Sequence, residues 1–395
     1  MAKLTQTITA ISLFIISSLS PSKANNTEVL KTIASKYSTD TISQFYKCDA
    51  NALINVEANK ATLNTVKYFG TSVTITVFNQ PQSQAKKQLC HALNVIQEYH
   101  FLASNYSTYP HVTNIKTINE SPTDLHQIDP LLTDLLAQSI AWHDKSQGYF
   151  NIALSPVIDL WREKRFACMK AKNKQTGCQI PTQHALEQAA QFTQITDIKL
   201  DTKQHNIRLK QGMKIDLGGI AKGWMTEKVF QQLVADGVNQ FMIDAGGNIR
   251  HKGLHPQQRL FATAIEDPLC KKSEYQLATC ANFDGQYHEV IAGENITVVS
   301  SGNYLRYFEV GGKQYHHLID PTTLAPKSTG VATTVILDDN QIYADVISTS
   351  LFLMPLEQAI AFANKHDYIE AVWYLNEQGD KVTSESFDKY RLTPQ

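Results

Sequence analysis

The chain has 395 residues, 43% of them apolar and 18% charged, with a formal net charge of −1. That is enough material for one large domain or two ordinary ones, and the composition is that of a folded globular protein rather than a disordered chain. The near-neutral balance carries no basic excess, so a nucleic-acid surface is not expected, while a local anion pocket remains compatible with it.

The first segment reads as an export signal. Lys3 gives a positive start, Ile8 to Leu19 is mostly apolar, and Ser22-Lys23-Ala24 places small residues at the −3 and −1 positions of a cleavage site. The apolar core is shorter than the roughly 20 residues a membrane span needs. No later segment is long and apolar enough to span, and no cysteine near the cut suggests a lipid anchor. The expectation is therefore an exported chain that loses residues 1–24, with a membrane-retained N-terminal helix as the alternative. Residues 25–62 read as a polar N-terminal extension, helical from 27 to 60, ahead of a main domain over 63–395.

Within Lys67–Phe78, Val73, Ile75 and Val77 alternate with Ser72, Thr74 and Thr76, the period of a half-buried strand. Helices are predicted over Ser83–Phe101 and Asp124–Lys145. A polar insertion bounded by cysteines is expected from Glu163 to Gln179, then a helix over Thr182–Phe192. Short strands follow at Asp197–Leu200, Asn206–Leu209, Gln240–Asp244, Phe261–Glu266 and Ile296–Ser300, with a helix over 219–236 among them. One long helix is predicted from Asp345 to His366, and a hairpin of Ala371–Leu375 and Lys381–Glu385 closes the chain. Strands and helices mix without regular βαβ alternation, which argues for α+β over a doubly wound parallel sheet. The six cysteines of an exported chain favour disulfides. Two local pairs stand out, Cys168–Cys178 and Cys270–Cys280, which leaves Cys48–Cys90. A zinc site is the weaker alternative, because there is no CxxC pair.

Five segments carry chemistry. Asp216-Leu217-Gly218-Gly219 followed by Lys222 ends a strand, passes a glycine pair and enters a helix with a lysine in its first turn. That pattern suits a phosphate, although it also suits a plain tight turn. Asp244-Ala245-Gly246-Gly247-Asn248 repeats the design, and by itself reads as a turn or bulge. Ser300-Ser301-Gly302-Asn303-Tyr304 sets small hydroxyls after an apolar strand. His316-His317-Leu318-Ile319-Asp320-Pro321 offers a proton acceptor, with Asp320 either orienting it or holding the turn. Asp345 and Thr349 stand four apart on a predicted helix, so a carboxylate and a hydroxyl share one face. Such a pair suits Mg²⁺, or alternatively an N-cap beside a buried threonine.

In order and wording these segments resemble the ApbE family of FAD:protein FMN transferases over about residues 64–390. Tyr68-Phe69-Gly70-Thr71 is similar to the family's opening Met-Gly-Thr element, and Ser107-Thr108-Tyr109 followed by Asn119 to its Ser-Thr-Tyr…Asn stretch. Gly148-Tyr149-Phe150-Asn151-Ile152, Pro156 and Leu160-Trp161 resemble its Gly-x-Phe-Asp-Ile…Pro…Leu-Trp run. The resemblance implies a T-fold-like α+β architecture of largely antiparallel sheets with packed helices. It implies FAD against Phe69, Tyr109, Tyr149, Phe150, Asn151, Asp216, Lys222 and Ile319. It also implies Mg²⁺ on Asp345, Thr349 and the main-chain carbonyl near Gly219, with His317 as the base. The implied reaction moves FMN from FAD to a threonine of an acceptor protein, an exported or membrane-exposed redox subunit, and releases AMP.

Phe69 replaces the family's methionine, Asn151 its aspartate, and Ser348 an acidic residue of some relatives. Leu324 stands where the family has glycine, so the turn after Thr323 is expected to differ. Two other readings use the same residues: a Mg²⁺-dependent FAD pyrophosphatase, with water as acceptor, and a non-catalytic exported FAD carrier.

Overall fold

The computed structural model describes residues 48–392 apart from 275, 281–285 and 340. The expected signal peptide and residues 25–47 lie outside the described residues.

The frame is a nine-stranded sheet. Its strands are β1 (Ile54–Val56), β2 (Lys60–Thr65), β3 (Val73–Phe78), β4 (Phe241–Ala245), β5 (Asn248–Lys252), β6 (Thr297–Gly302), β7 (Ala332–Leu337), β8 (Ile369–Tyr374) and β9 (Lys381–Thr383). Their order across the sheet is their order in the chain, and every neighbouring pair is antiparallel. The α+β expectation holds. β7 and β8 are buried at all six positions, so both faces of the sheet are covered at these two strands.

Helix α1 (Gln82–Ala103) buries Ala85, Leu89, Ala92, Leu93 and Ile96, a stripe at helical spacing. It packs against α4 (Ala221–Ala235). Between them in the chain come α2 (Pro130–Lys145) and α3 (Ser155–Lys170). α2 starts later than Asp124 because Asp129 caps it, accepting from the Leu131 amide at 2.9 Å, with Pro130 in the first turn. A second apolar cluster covers the other face of the sheet. There Ile265, Ile291 and Phe387 meet Val298, Ile336 and Val372.

Three expectations are corrected. The extension is not helical to residue 60: among its described residues only Ala50–Leu53 is helical, and β1 and β2 join the main sheet. Ala61, Leu63 and Thr65 alternate inward along β2, so a boundary at residue 62 would cut a strand. The stretch after Trp161 is not an insertion from Glu163, since α3 runs on to Lys170. The long helix from Asp345 is two helices, α5 (Ala344–Leu353) and α6 (Leu356–Asn364). They are separated at Pro355, which forces Met354 into extended backbone.

All three expected disulfides are formed: Cys48–Cys90, Cys168–Cys178 and Cys270–Cys280, with Cα separations of 5.5, 4.3 and 5.6 Å.

Candidate active site

An open cavity of about 290 Å³ lies where α3, the N-terminus of α4, β6, α5 and the His316–Ile319 segment converge. Of the residues singled out from sequence, Tyr149, Phe150, Asn151, Asp216, Gly219, Lys222, His317, Ile319, Asp345 and Thr349 line it. Phe69 and Tyr109 do not. They gather instead around His100: the Phe69 amide donates to its Nδ1 at 3.2 Å, and the Tyr109 hydroxyl lies 3.3 Å from its Nε2. The Asn151 side chain is committed to backbone groups, accepting from the Ala153 amide at 2.9 Å and donating to the Thr193 carbonyl at 3.0 Å.

The turn before α4 is held from several sides. Asn119 both donates to and accepts from the Ile215 backbone, each at 2.8 Å. One oxygen of Asp216 accepts from the Gly218 amide at 2.7 Å, and the other from Arg162 at 2.6 Å. A Cβ on Gly218 would lie 2.8 Å from that first oxygen, so a side chain there would push the Asp216 carboxylate aside. The second glycine pair is a tight turn between β4 and β5: Gly246 and Gly247 both have positive φ, and Asp244 accepts from the Gly247 amide at 2.9 Å. Gly246 also borders the cavity.

Asp345 is 4% exposed. Its carboxylate accepts from the Gly223 amide at 2.6 Å, from Asn248 at 3.1 Å and from Lys222 at 3.3 Å. α4 approaches so closely that a Cβ on Gly223 would meet Asn248 and Asp345 at 3.1–3.3 Å. One turn along α5, Thr349 lies 3.4 Å from the Ser301 hydroxyl, which also bonds Ser348 at 2.9 Å. The set is one carboxylate with neutral oxygens. No cluster of three His, Cys, Asp or Glu side chains stands here or elsewhere among the described residues. Beside it the buried Asn248 Oδ1 has no partner. This donor set fits Mg²⁺, a hard ion that takes one or two carboxylates and completes its shell with water and substrate phosphate.

His317 reaches the cavity with its Nδ1 buried and without a hydrogen-bond partner. Burial, then the charges of Arg306, His316, Arg165 and Lys222, push its pKa down to about 3. Asp320 does not orient it. That carboxylate holds the following turn, accepting from the Thr322 amide at 2.8 Å and hydroxyl at 2.7 Å. His316 also borders the cavity but is buried and committed, its Nε2 donating to the Lys327 carbonyl at 2.7 Å.

The expectation that leucine avoids positive φ at this turn is not met. Leu324 itself adopts φ 58°, its amide donating to the Asp320 carbonyl at 2.8 Å, so the turn accepts the strain of a side chain in the left-handed region. The Leu324 carbonyl accepts from Trp161 Nε1 at 2.8 Å. Trp161 and Arg162, adjacent on α3, thus hold the base segment and the glycine turn respectively.

Sequence reasoning missed Arg162, Arg165 and Arg306, all on the cavity wall. Ile158, Trp161, Arg162 and Arg165 fall at helical spacing, a signal obscured by reading the stretch from Glu163 onward as a polar insertion.

A family model described as the ApbE family matches residues 69–373, more than half of the chain. The FAD:protein FMN transferase of Treponema pallidum (strain Nichols) is 28% identical over 279 residues, covering 67% of this chain and 71% of that protein. The one from Haemophilus influenzae is 27% identical over 305 residues, covering 76% and 80%. Among solved structures, an ApbE protein of Thermotoga maritima aligns with TM-score 0.69 at 24% identity, covering 84% of this chain and 99% of that one. The flavin transferase ApbE of Vibrio cholerae aligns with TM-score 0.67 at 22% identity, covering 85% and 100%. These two share the fold, and with the matched family model they lead to one conclusion: the chain belongs to the ApbE family.

Proposed function

We propose that this chain transfers the FMN half of FAD to a threonine hydroxyl of a target protein, forming a phosphoester and releasing AMP. What supports the reading most is the meeting, in one cavity, of an unpartnered imidazole, a glycine turn at a helix N-terminus and a buried carboxylate among hydroxyls. The relatives' name describes transfer of FMN from FAD to a protein.

His317 is the base. A threonine hydroxyl is a poor nucleophile until a base engages it. With its pKa held low, the ring is neutral and able to accept a proton. An arriving diphosphate offsets the cations that depress it, and so raises its basicity when substrate is bound. Tyr149, Phe150 and Ile319 offer apolar surface to the flavin, and the Asp216–Gly219 turn with Lys222 borders the phosphates. Phe69 and Tyr109 would act only through a rearrangement around His100. Asp345, Thr349 and the carbonyl near Gly219 would hold Mg²⁺, which when bound supplies charge neutralisation for phosphoryl transfer.

The N-terminal signal and three disulfides support export, to the periplasm or the outer face of the inner membrane. The acceptor is then a membrane-associated redox subunit exposed on that side. Residues 25–395 mixed with FAD, Mg²⁺ and a threonine-bearing acceptor fragment test the proposal by acceptor mass and AMP release. A gain of one FMN less water, absent in His317→Ala and in chelator, is the expected result. AMP without labelled acceptor favours hydrolysis, and bound but uncleaved FAD favours a carrier.

A further inference from the structure

Four cations line the cavity: Arg162, Arg165, Lys222 and Arg306. Two are committed to carboxylates. Arg162 bridges Asp159 at 3.0 Å and Asp216 at 2.6 Å, and Lys222 pairs with Asp345 at 3.3 Å. Among the described residues, no carboxylate lies within ion-pair reach of Arg165 or Arg306. Arg165 is half-buried, its guanidinium 5.4 Å from the Phe166 ring, and it feels the charges of Arg306 and Arg162. A guanidinium keeps its charge at any working pH. Two unmatched charges facing one cavity therefore leave room for an anion that the chain does not supply.

Their position names the anion. Both line the same cavity as His317, and their charges act on it. A base must lie within hydrogen-bond reach of the attacking hydroxyl, and that hydroxyl within reach of the phosphorus. Cations that share the cavity with the base therefore also face the reacting phosphorus. A phosphate of the diphosphate offers its two non-bridging oxygens to guanidinium forks.

We infer that Arg165 and Arg306 clamp the flavin-side phosphate of FAD, holding its non-bridging oxygens during transfer. The inference rests on the FMN-transfer reading above. In the step itself, the acceptor oxygen bonds to that phosphorus while the bond from phosphorus to the bridging oxygen breaks. AMP leaves with that electron pair, and the hydroxyl proton passes to His317. The arginines exchange no proton and form no covalent bond. They match charge on the oxygens as the transition state spreads it.

The test compares equilibrium binding of FAD with that of riboflavin, which has the same ring and no phosphate. It is run in chelator on the wild type, Arg165→Met, Arg306→Met, the double variant, and both lysine variants. Each methionine variant is expected to lose FAD affinity about tenfold or more, and the double about a hundredfold, from the loss of charge-assisted hydrogen bonds. Riboflavin affinity should stay within about twofold. The lysine variants keep the charge without the fork, so they should fall between wild type and methionine for FAD alone. They decide the matter if a methionine variant does not fold. Unchanged FAD affinity, or parallel loss of both ligands in the lysine variants, overturns the clamp while leaving the flavin reading intact. A wild type that binds neither ligand overturns both.

Discussion

His251 on β5 has no exposed surface, and neither of its ring nitrogens has a hydrogen-bond partner. The ring packs on Phe261 with centroids 5.3 Å apart. Burial, and after it the Arg250 charge, lower its pKa to about 4 from 6.5. Unfolding restores the ordinary value, so between these limits the unfolded chain binds more protons and stability rises with pH. The contribution of the neutral ring is complete above the unfolded pKa and is lost as pH falls toward the folded one. Between pH 7.5 and 4.5 the loss from this one group is about 2.5 kcal/mol, at ~1.36 kcal/mol per pKa unit. His251→Leu is close in volume and forfeits no hydrogen bond, so it removes the titration and little else. Urea unfolding of both proteins at the two pH values isolates the term, because all other groups are common. The wild type should lose about 2.5 kcal/mol more than the variant over that interval. Equal acid sensitivity in the two would refute the reasoning. The effect also reaches the site, since β5 carries Asn248, which bonds Asp345.

Four further outcomes are expected. Leu324→Ile keeps the volume but puts a β-branched side chain at φ 58°, and should lower stability by about 1–2 kcal/mol; an unchanged melting temperature counts against the strain. Gly246→Ala places a Cβ 1.9 Å from the Thr71 hydroxyl at φ 63° and should lose about 2 kcal/mol or more, partly recovered in Thr71→Ala, by urea midpoint. Trp161→Phe removes the donor to the Leu324 carbonyl, at about 1 kcal/mol of stability, and should lower kcat for FAD cleavage more than it changes KM. Arg306→Met relieves the cation that most lowers the His317 pKa after burial, so the acidic limb of kcat should move to higher pH; a limb that stays in place removes His317 as the titrating base.

Much of this was legible in the chain. The cysteine pairing, the Gln82–Ala103 and Ala221–Ala235 helices, and strand Phe261–Glu266 follow from spacing and period. What escaped has particular causes. β5 reads as polar, Asn-Ile-Arg-His-Lys, although it is mostly buried; two of its buried side chains bond distant partners, the Asn248 amide to Asp345 and Arg250 to Glu227. Local hydropathy cannot register such pairing. β7 is a continuous inward run rather than an alternation, the pattern of a strand covered on both faces. Phe69 and Tyr109 were placed by resemblance, yet the contacts that hold them lie on His100, a residue no motif marked. Arg165 and Arg306 come from elements far apart in sequence, so only the fold brings them together.

The neighbouring anchors on α3 bear on how the site fails. Trp161 grips the segment carrying the base, and Arg162 grips the glycine turn. A fluctuation that lifts this helix removes an anchor from both halves at once. Loss of catalysis on heating should therefore trace a single sigmoid superimposed on melting of the α3 region, with no inactive yet folded plateau before it.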